Sequence, residues 1–280
     1  MSDIQLSTRE IAPDTTLLAG CVVPQLVADR LAAMDDPPPW YEQGRAVHAQ
    51  FNAYLLDGAE TLLFDTLPPN FQSALLTELD ERDVDLDYVV VSHPEAPHGG
   101  NAEALLRANP DATLVVPAAD ALHDLALTRT VESFREVAAG DVLDLGGREL
   151  EFVHPVLFDL ASTAWAHDSA TGALFTVDAY GNTHVEGECG DFVDELADDP
   201  EQFTALRWPG FHAHTFPWLA YVDPDRVMAD VEAVVERLDP SMVCPAHGAV
   251  VREDATAYLR RLRPVLETIV EQGLGQDVRV

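Results

Sequence analysis

The segment VVVSHPEAPHGGN, residues 89–101, places His93, Glu95 and His98 within six residues and sets Pro94 and Pro97 on either side of Glu95. Two imidazoles and a carboxylate are the donor types that hold Fe, Mn or Zn. Proline lacks an amide donor and disfavours helix for the residue before it, so His93 to Pro97 is expected to be extended or turned. In extended chain, residues two apart point the same way, which lets His93 and Glu95 face one point. His98 then enters from a turn freed by Gly99 and Gly100. A solvated acidic loop that happens to carry two histidines accounts for the triplet equally well, so its position in the fold has to decide.

The loop follows Tyr88 to Val91, whose unbroken apolar, β-branched content reads as a buried strand. Two other strand ends carry matching groups: Asp178 closes the strand of ALFTVDAYG, and His247 closes that of SMVCPAHG. Phe51 to Asp57 and Thr61 to Asp65 read as strands joined by a turn at Asp57-Gly58. Pro68, Pro69 and Asn70 open a helix that places Phe71, Leu75, Leu76 and Leu79 on one face. A further helix is expected from about Asn101 to Ala108. Strands are expected at Thr113 to Val116, Glu149 to Val153, Ala173 to Val177 and Ser241 to Cys244. Asp223-Pro224 starts a helix whose buried side carries Val227, Val231, Val234, Val235 and Leu238. A last helix carries Leu259, Leu262, Leu266 and Ile269, while Pro37-Pro38-Pro39 reads as a connection within one domain. Hairpins mixed with crossovers give a mixed α/β chain, and neither GxGxxG nor GxxxxGK[ST] is present to support a nucleotide site.

With 280 residues, 47% of them hydrophobic, the chain can bury one large core without staples. Its formal charge is −33, from 49 acidic against 16 basic residues, and every basic residue is arginine. A carboxylate surface this dense repels itself, a penalty that molar salt removes by shortening the Debye length to about 3 Å. The composition points to a high-salt cytoplasm and argues against nucleic-acid or anionic-membrane partners, whose phosphates demand basic surface. Cys21, Cys189 and Cys244 show no CxxC spacing, so no disulfide framework is expected and a reduced, intracellular setting fits. LLAGC, residues 17–21, imitates a lipid-attachment signal, but the charges before it make it read as the end of a first strand. No run approaches the roughly 18 apolar residues of a membrane span.

NAYLL with LLFDT, then SHPEAPHGG, LFTVDAYG and CPAHG, resemble in order and spacing the metallo-β-lactamase fold over roughly Ile4 to Val270. More specifically, they resemble the di-iron domain of flavodiiron proteins and the related stand-alone oxygen-binding di-iron proteins. In that superfamily hydrolases carry HxHxDH and flavodiiron-type members HxExDH, and Glu95 sides with the second group. The resemblance implies a four-layered αβ/βα sandwich over residues 1–280, a single domain without a flavodoxin-like one, with two metals at the strand ends. It further implies that His93 and Glu95 ligate the first metal, that His98 and His247 ligate the second, and that Asp178 bridges them. Two family ligands are replaced: the aspartate of HxExDH is Pro97, and a histidine some 20 residues before the bridging aspartate aligns with Phe158. His154 and Asp159 flank that gap and His48 precedes NAYLL, so these three are candidate substitutes or supporting groups.

The favoured reading is a non-haem iron protein, with one or two irons, that binds, reduces or senses dioxygen or nitric oxide. A separate redox partner would supply electrons for reduction, whereas sensing needs none. The alternatives are a zinc hydrolase of a thioester, lactone or phosphoester, and a metal-free binding protein on the same fold. A homo-oligomer is compatible with all three. His123, His167 and His184 are expected at the surface or capping helices. His212 and His214, among Trp208, Phe211, Phe216 and Trp218, line a pocket mouth or pack, and Cys244 is a small core residue.

Overall fold

Short apolar runs, most of them buried on both faces, build two sheets. The computed structural model describes residues 4–22, 48–127, 131, 133–184, 187–196 and 207–275. The first sheet comprises β1 (Ile4–Ala12), β2 (Thr15–Val22), β3 (Ala49–Leu56), β4 (Leu62–Phe64), β5 (Tyr88–Val90), β6 (Thr113–Val116) and β7 (Phe134–Glu136), in that spatial order. The second comprises β8 (Val142–Asp144), β9 (Glu149–Val153), β10 (Trp165–Asp168), β11 (Ala173–Val177) and β12 (Met242–Pro245), ordered β12-β11-β10-β9-β8. Hairpins make β1 to β4 antiparallel, and helical crossovers make β4 to β7 parallel. β8 to β11 are antiparallel, and β12 adds in parallel to β11.

Alternate residues of one strand serve two cores. Val90 faces the second sheet with Tyr54, Phe64, Phe152 and Phe175, while Val89 and Val91 pack outward against helix Gln72–Glu81 and helix Ala102–Ala108. Phe175 is the hub of the inner layer, with its ring 5.1 Å from Tyr54 and 5.0 Å from Phe64. On the other outer face, Val227, Val231 and Val235 of helix Pro224–Leu238 pack with Leu262, Val265, Leu266 and Ile269. The result is the four-layered αβ/βα sandwich. Asp223 caps its helix as expected, accepting from the Asp225 amide at 3.0 Å, and Cys244 is buried in β12.

A buried ion pair joins the two sheets at the end where β3 finishes. Arg148 grips Asp168 with Nε and Nη2 at 3.0 and 2.8 Å, and Nη1 donates to the carbonyls of Asp14 at 2.6 Å and Asp57 at 3.1 Å. Burial pushes the Asp168 carboxyl up, but the Arg148 guanidinium and the Thr171 hydroxyl outweigh burial and hold it below its usual range. A depressed folded pKa stabilises above the unfolded value and loses that stabilisation as pH falls through the folded one. Asp168→Ala strands a buried guanidinium and should cost about 3–5 kcal/mol by denaturant unfolding. Wild type should lose this margin only under acid, below the ordinary aspartate range.

Several expectations are corrected. LLAGC lies in the second strand, because IQLSTREIA forms an edge strand before it. β7, β8 and β10 are additional strands, and His167 lies buried in β10, not at the surface or capping a helix as expected. The last helix is two, Ala255–Arg260 and Leu262–Gln272, separated at Arg261. Pro97 stands inside a helical turn, Ala96–Gly99, where first-turn proline forfeits no intrahelical bond. Cys21 and Cys189, 168 residues apart, are joined by a disulfide, contrary to the expectation of unpaired thiols, because the loop after β11 returns to the end of β2. The triple proline lies outside the described residues.

Candidate metal centre

Four strand ends meet at one edge between the sheets. Beyond β4, Asp65 turns the chain with φ 61°, and beyond β5 come Ser92 and His93. β11 ends on Val177 at φ 56°, a conformation a β-branched residue adopts only when its surroundings enforce it, at about 1–3 kcal/mol. That turn presents Asp178 to the histidines. Beyond β12, the Ala246 amide donates to the Val177 carbonyl at 2.7 Å and the Asn182 amide to the His247 carbonyl at 3.0 Å, which locks the two loops together.

Asp178 is the centre of the cluster. Its Oδ1 lies 2.8 Å from His247 Nε2 and 3.4 Å from His98 Nε2, and its Oδ2 lies 3.3 Å from His93 Nε2. His93 Nε2 in turn faces Glu95 Oε2 at 3.8 Å and Asp159 Oδ2 at 3.7 Å. His93, His98 and Asp178 are buried, whereas the Glu95 side chain is 48% exposed and marks the open side. Among the described residues, His93 Nε2, His98 Nε2 and Asp178 Oδ2 are buried with no hydrogen-bond partner. Buried polar atoms are normally satisfied, and three unpaired ones aimed at a shared space fit a cation held between them.

The charges agree. Burial opposes ionisation of Asp178, but the neighbouring His98 and His247 hold its carboxyl well below the usual range. Burial also works against a charged His98, yet the carboxylates of Asp65 and Asp178 raise its pKa well above the ordinary value. The His93 imidazole holds Glu95 low, while burial pushes Asp159 up, aided by the charges of Asp178 and Glu95. Three carboxylates around one imidazole repel one another, and a cation between them relieves that repulsion.

Asp65, which the motif reading left without a role, supports His98. It accepts from the Ser92 amide at 2.8 Å and hydroxyl at 3.0 Å, and its Oδ2 lies 2.8 Å from His98 Nδ1. His98 Nδ1–H donating to Asp65 leaves Nε2 as the nitrogen that would turn its lone pair to a cation beside Asp178. The signal was available, since LLFDT ends an apolar strand on a carboxylate just as ALFTVD does. Asp65→Ala should weaken cation binding about 10–100-fold in a competition titration, with the fold retained.

The structure therefore gathers His93, Glu95, His98, Asp178 and His247 and, of the three candidate substitutes, Asp159. It does not bring His48 or His154 to them. His154 is exposed, with Nδ1 2.9 Å from the Pro155 carbonyl, and His48 lies against Cys21 and Cys189. Phe158 turns toward Trp218, ring to ring at 5.9 Å, and the Trp218 indole donates to the Phe158 carbonyl at 2.9 Å. His212 is a packing residue: its Nε2 accepts from the Tyr180 amide and its Nδ1 donates to the Trp208 carbonyl, with burial lowering its pKa to about 4. His123 and His214 are exposed, whereas His184 is buried against the His48 ring, not at the surface as expected.

A four-layered αβ/βα sandwich with carboxylates and imidazoles gathered at its strand ends is an arrangement suited to holding metal. The chain belongs to the metallo-beta-lactamase superfamily, whose family model matches residues 49–251. It is 26% identical to an anaerobic nitric oxide reductase flavorubredoxin of Aliivibrio salmonicida, over 75% of this chain and 42% of that protein. It is 28% identical to diflavin flavoprotein A 1 of Synechocystis sp., over 76% of this chain and 36% of that protein. The chain thus spans less than half the length of these curated relatives. Its fold matches the metal-soaked Flv1 flavodiiron core from Synechocystis sp. with a TM-score of 0.71 at 23% identity, over 94% of this chain and 61% of that one.

Proposed function

We propose that this chain holds a non-haem iron centre, with two unequal positions, that binds dioxygen or nitric oxide and reduces it or reports its presence. The observation that carries the reading is Asp178, with His93 beside one carboxylate oxygen and His98 and His247 beside the other. His93, Glu95 and Asp159 would hold one iron and His98 and His247 the other, with Asp178 shared between them. Asp159 replaces an imidazole with a carboxylate where Phe158 cannot ligate, whereas Pro97 leaves the second position with fewer protein ligands. The oxygen-rich first position suits iron or manganese, and imidazoles suit iron equally.

Iron held there would supply electrons and open positions for a diatomic molecule. The protein's own residues do the rest. Phe211 brings an aromatic ring to 6.3 Å from the His247 ring, an apolar wall suited to a ligand of low polarity. Asp65 keeps His98 in the tautomer that offers Nε2, and the Ala246–Val177 hydrogen bond fixes His247 relative to Asp178. The relatives include a nitric oxide reductase, which supports nitric oxide as one ligand. Sustained turnover would need a redox partner to deliver electrons. Ferrous-loaded protein mixed anaerobically with nitric oxide should develop new visible absorption saturating at the iron content. No spectral change with full iron loading would refute diatomic binding at this centre.

Among the described residues no helix is long and apolar enough to cross a membrane. We place the chain in a high-salt cytoplasm on its charge of −33 and its lack of lysine. Its thermal midpoint should rise between dilute buffer and molar KCl, as carboxylate repulsion is screened. An unchanged midpoint would remove the halophilic reading.

A further inference from the structure

We propose that Cys21, His48 and Cys189 form a second, redox-gated metal site, which takes one thiophilic divalent cation such as zinc when the cysteines are reduced and is closed when they are joined. Their ligand atoms lie within 4.8 Å of one another, at the end of β2, the start of β3 and the loop before residue 190. His48 Nδ1 is 3.5 Å from Cys21 Sγ and 3.7 Å from Cys189 Sγ, so it faces the midpoint of the sulfur pair. Tetrahedral zinc with Zn–S near 2.3 Å and Zn–N near 2.0–2.1 Å has sulfur–nitrogen edges of about 3.5–3.6 Å. Two edges of the ligand triangle are already in place, and only the sulfur–sulfur edge must open.

The backbone of each ligand is held independently of the disulfide, Cys21 by its place in β2 between β1 and β3. The Ser7 hydroxyl donates to the Cys189 carbonyl at 2.7 Å, and the Gly190 amide donates to Gln50 Oε1 at 3.1 Å. The His48 amide donates to the His184 carbonyl at 2.9 Å, and the His48 ring lies on the His184 ring, centroids 4.5 Å apart with planes 12° from parallel. These contacts keep Nδ1 on the sulfurs after reduction. His48 is part-exposed, so water can complete the tetrahedron. Phe51, three residues along β3 from His48, bridges to His247, so the site neighbours the iron pocket without sharing a ligand. Thiolates select zinc, whereas the carboxylates and imidazoles around Asp178 suit iron, so the two sites would sort metals by ligand softness.

The gating step balances with a trialkylphosphine as reductant. The phosphine gives two electrons to the disulfide and leaves as its oxide. Water supplies that oxygen and the two protons of the new thiols, and cation binding then releases both thiol protons to solvent. The test is a cobalt(II) titration of the full chain, anaerobic, before and after phosphine treatment. Reduced wild type should gain one equivalent of tetrahedral cobalt with thiolate-to-metal absorption in the near ultraviolet, and untreated protein should show none. The band should persist in Asp178→Asn, vanish in Cys21→Ser and Cys189→Ser, and require at least tenfold more cobalt in His48→Gln. Absence of the band in reduced wild type overturns the proposal. So does its survival in Cys189→Ser, which would assign it to Cys244.

Discussion

Asp178→Ala should empty both metal positions at once, taking the chain from two ions toward none, while His123→Ala, on an exposed short helix, leaves loading unchanged. The asymmetry of expectation follows from geometry, because Asp178 sets one carboxylate oxygen beside His93 and the other beside His98 and His247. Removing it deletes a ligand from each position and unpairs three imidazoles. Removing a buried carboxylate that faces His98 and His247 should itself cost up to about 3–5 kcal/mol, so loading is read on protein whose circular dichroism matches wild type. Asp178→Asn provides the check: it preserves shape, removes the charge, and should lower the loading nearly as far. Metal analysis after exhaustive dialysis reads the outcome, and equal loss in Asp178→Ala and His123→Ala would contradict the assignment.

The second large effect is a gain. Pro97→Asp should tighten the weaker position at least tenfold, because a further carboxylate worth only about 1.4 kcal/mol already gives that factor. Residue 97 sits in the first turn of helix Ala96–Gly99, where an acidic side chain is favoured, so the substitution carries little structural cost. Asp159→Ala should act oppositely on the other position, removing a carboxylate 3.7 Å from His93 Nε2. Staged chelator extraction reads both: wild type releases one ion before the other, Pro97→Asp narrows the interval, and Asp159→Ala reverses or merges the order. Identical extraction profiles for all three would show that the two departures from the family pattern do not govern affinity.

These effects were foreseeable to different degrees. Strands flanked by turn residues, such as Ala173 to Val177 and Thr113 to Val116, declare themselves through unbroken apolar content. β7 and β10 do not: FRE is exposed and charged, and WAHD hides an inward-facing strand behind a histidine and an aspartate. The five residues at strand ends were legible because a coordinating side chain directly after an apolar strand has few structural reasons to be there. Asp65 has the same position, but its work is to orient His98, a role that only a 2.8 Å contact across 33 residues makes visible. His48 and His154 could not be separated from ligands by spacing, because which strand end each one reaches depends on tertiary pairing. The Cys21–Cys189 bond, spanning 168 residues, is likewise a property of the closed fold and of no local pattern.

The most direct measurement is elemental analysis of protein purified anaerobically in high salt, followed by its optical spectrum on admission of air. Near-stoichiometric iron, one to two ions per chain, with new charge-transfer absorption on oxygen contact is the predicted result. Zinc in place of iron with ester or thioester turnover, or no metal retained by the imidazoles around Asp178, would contradict it.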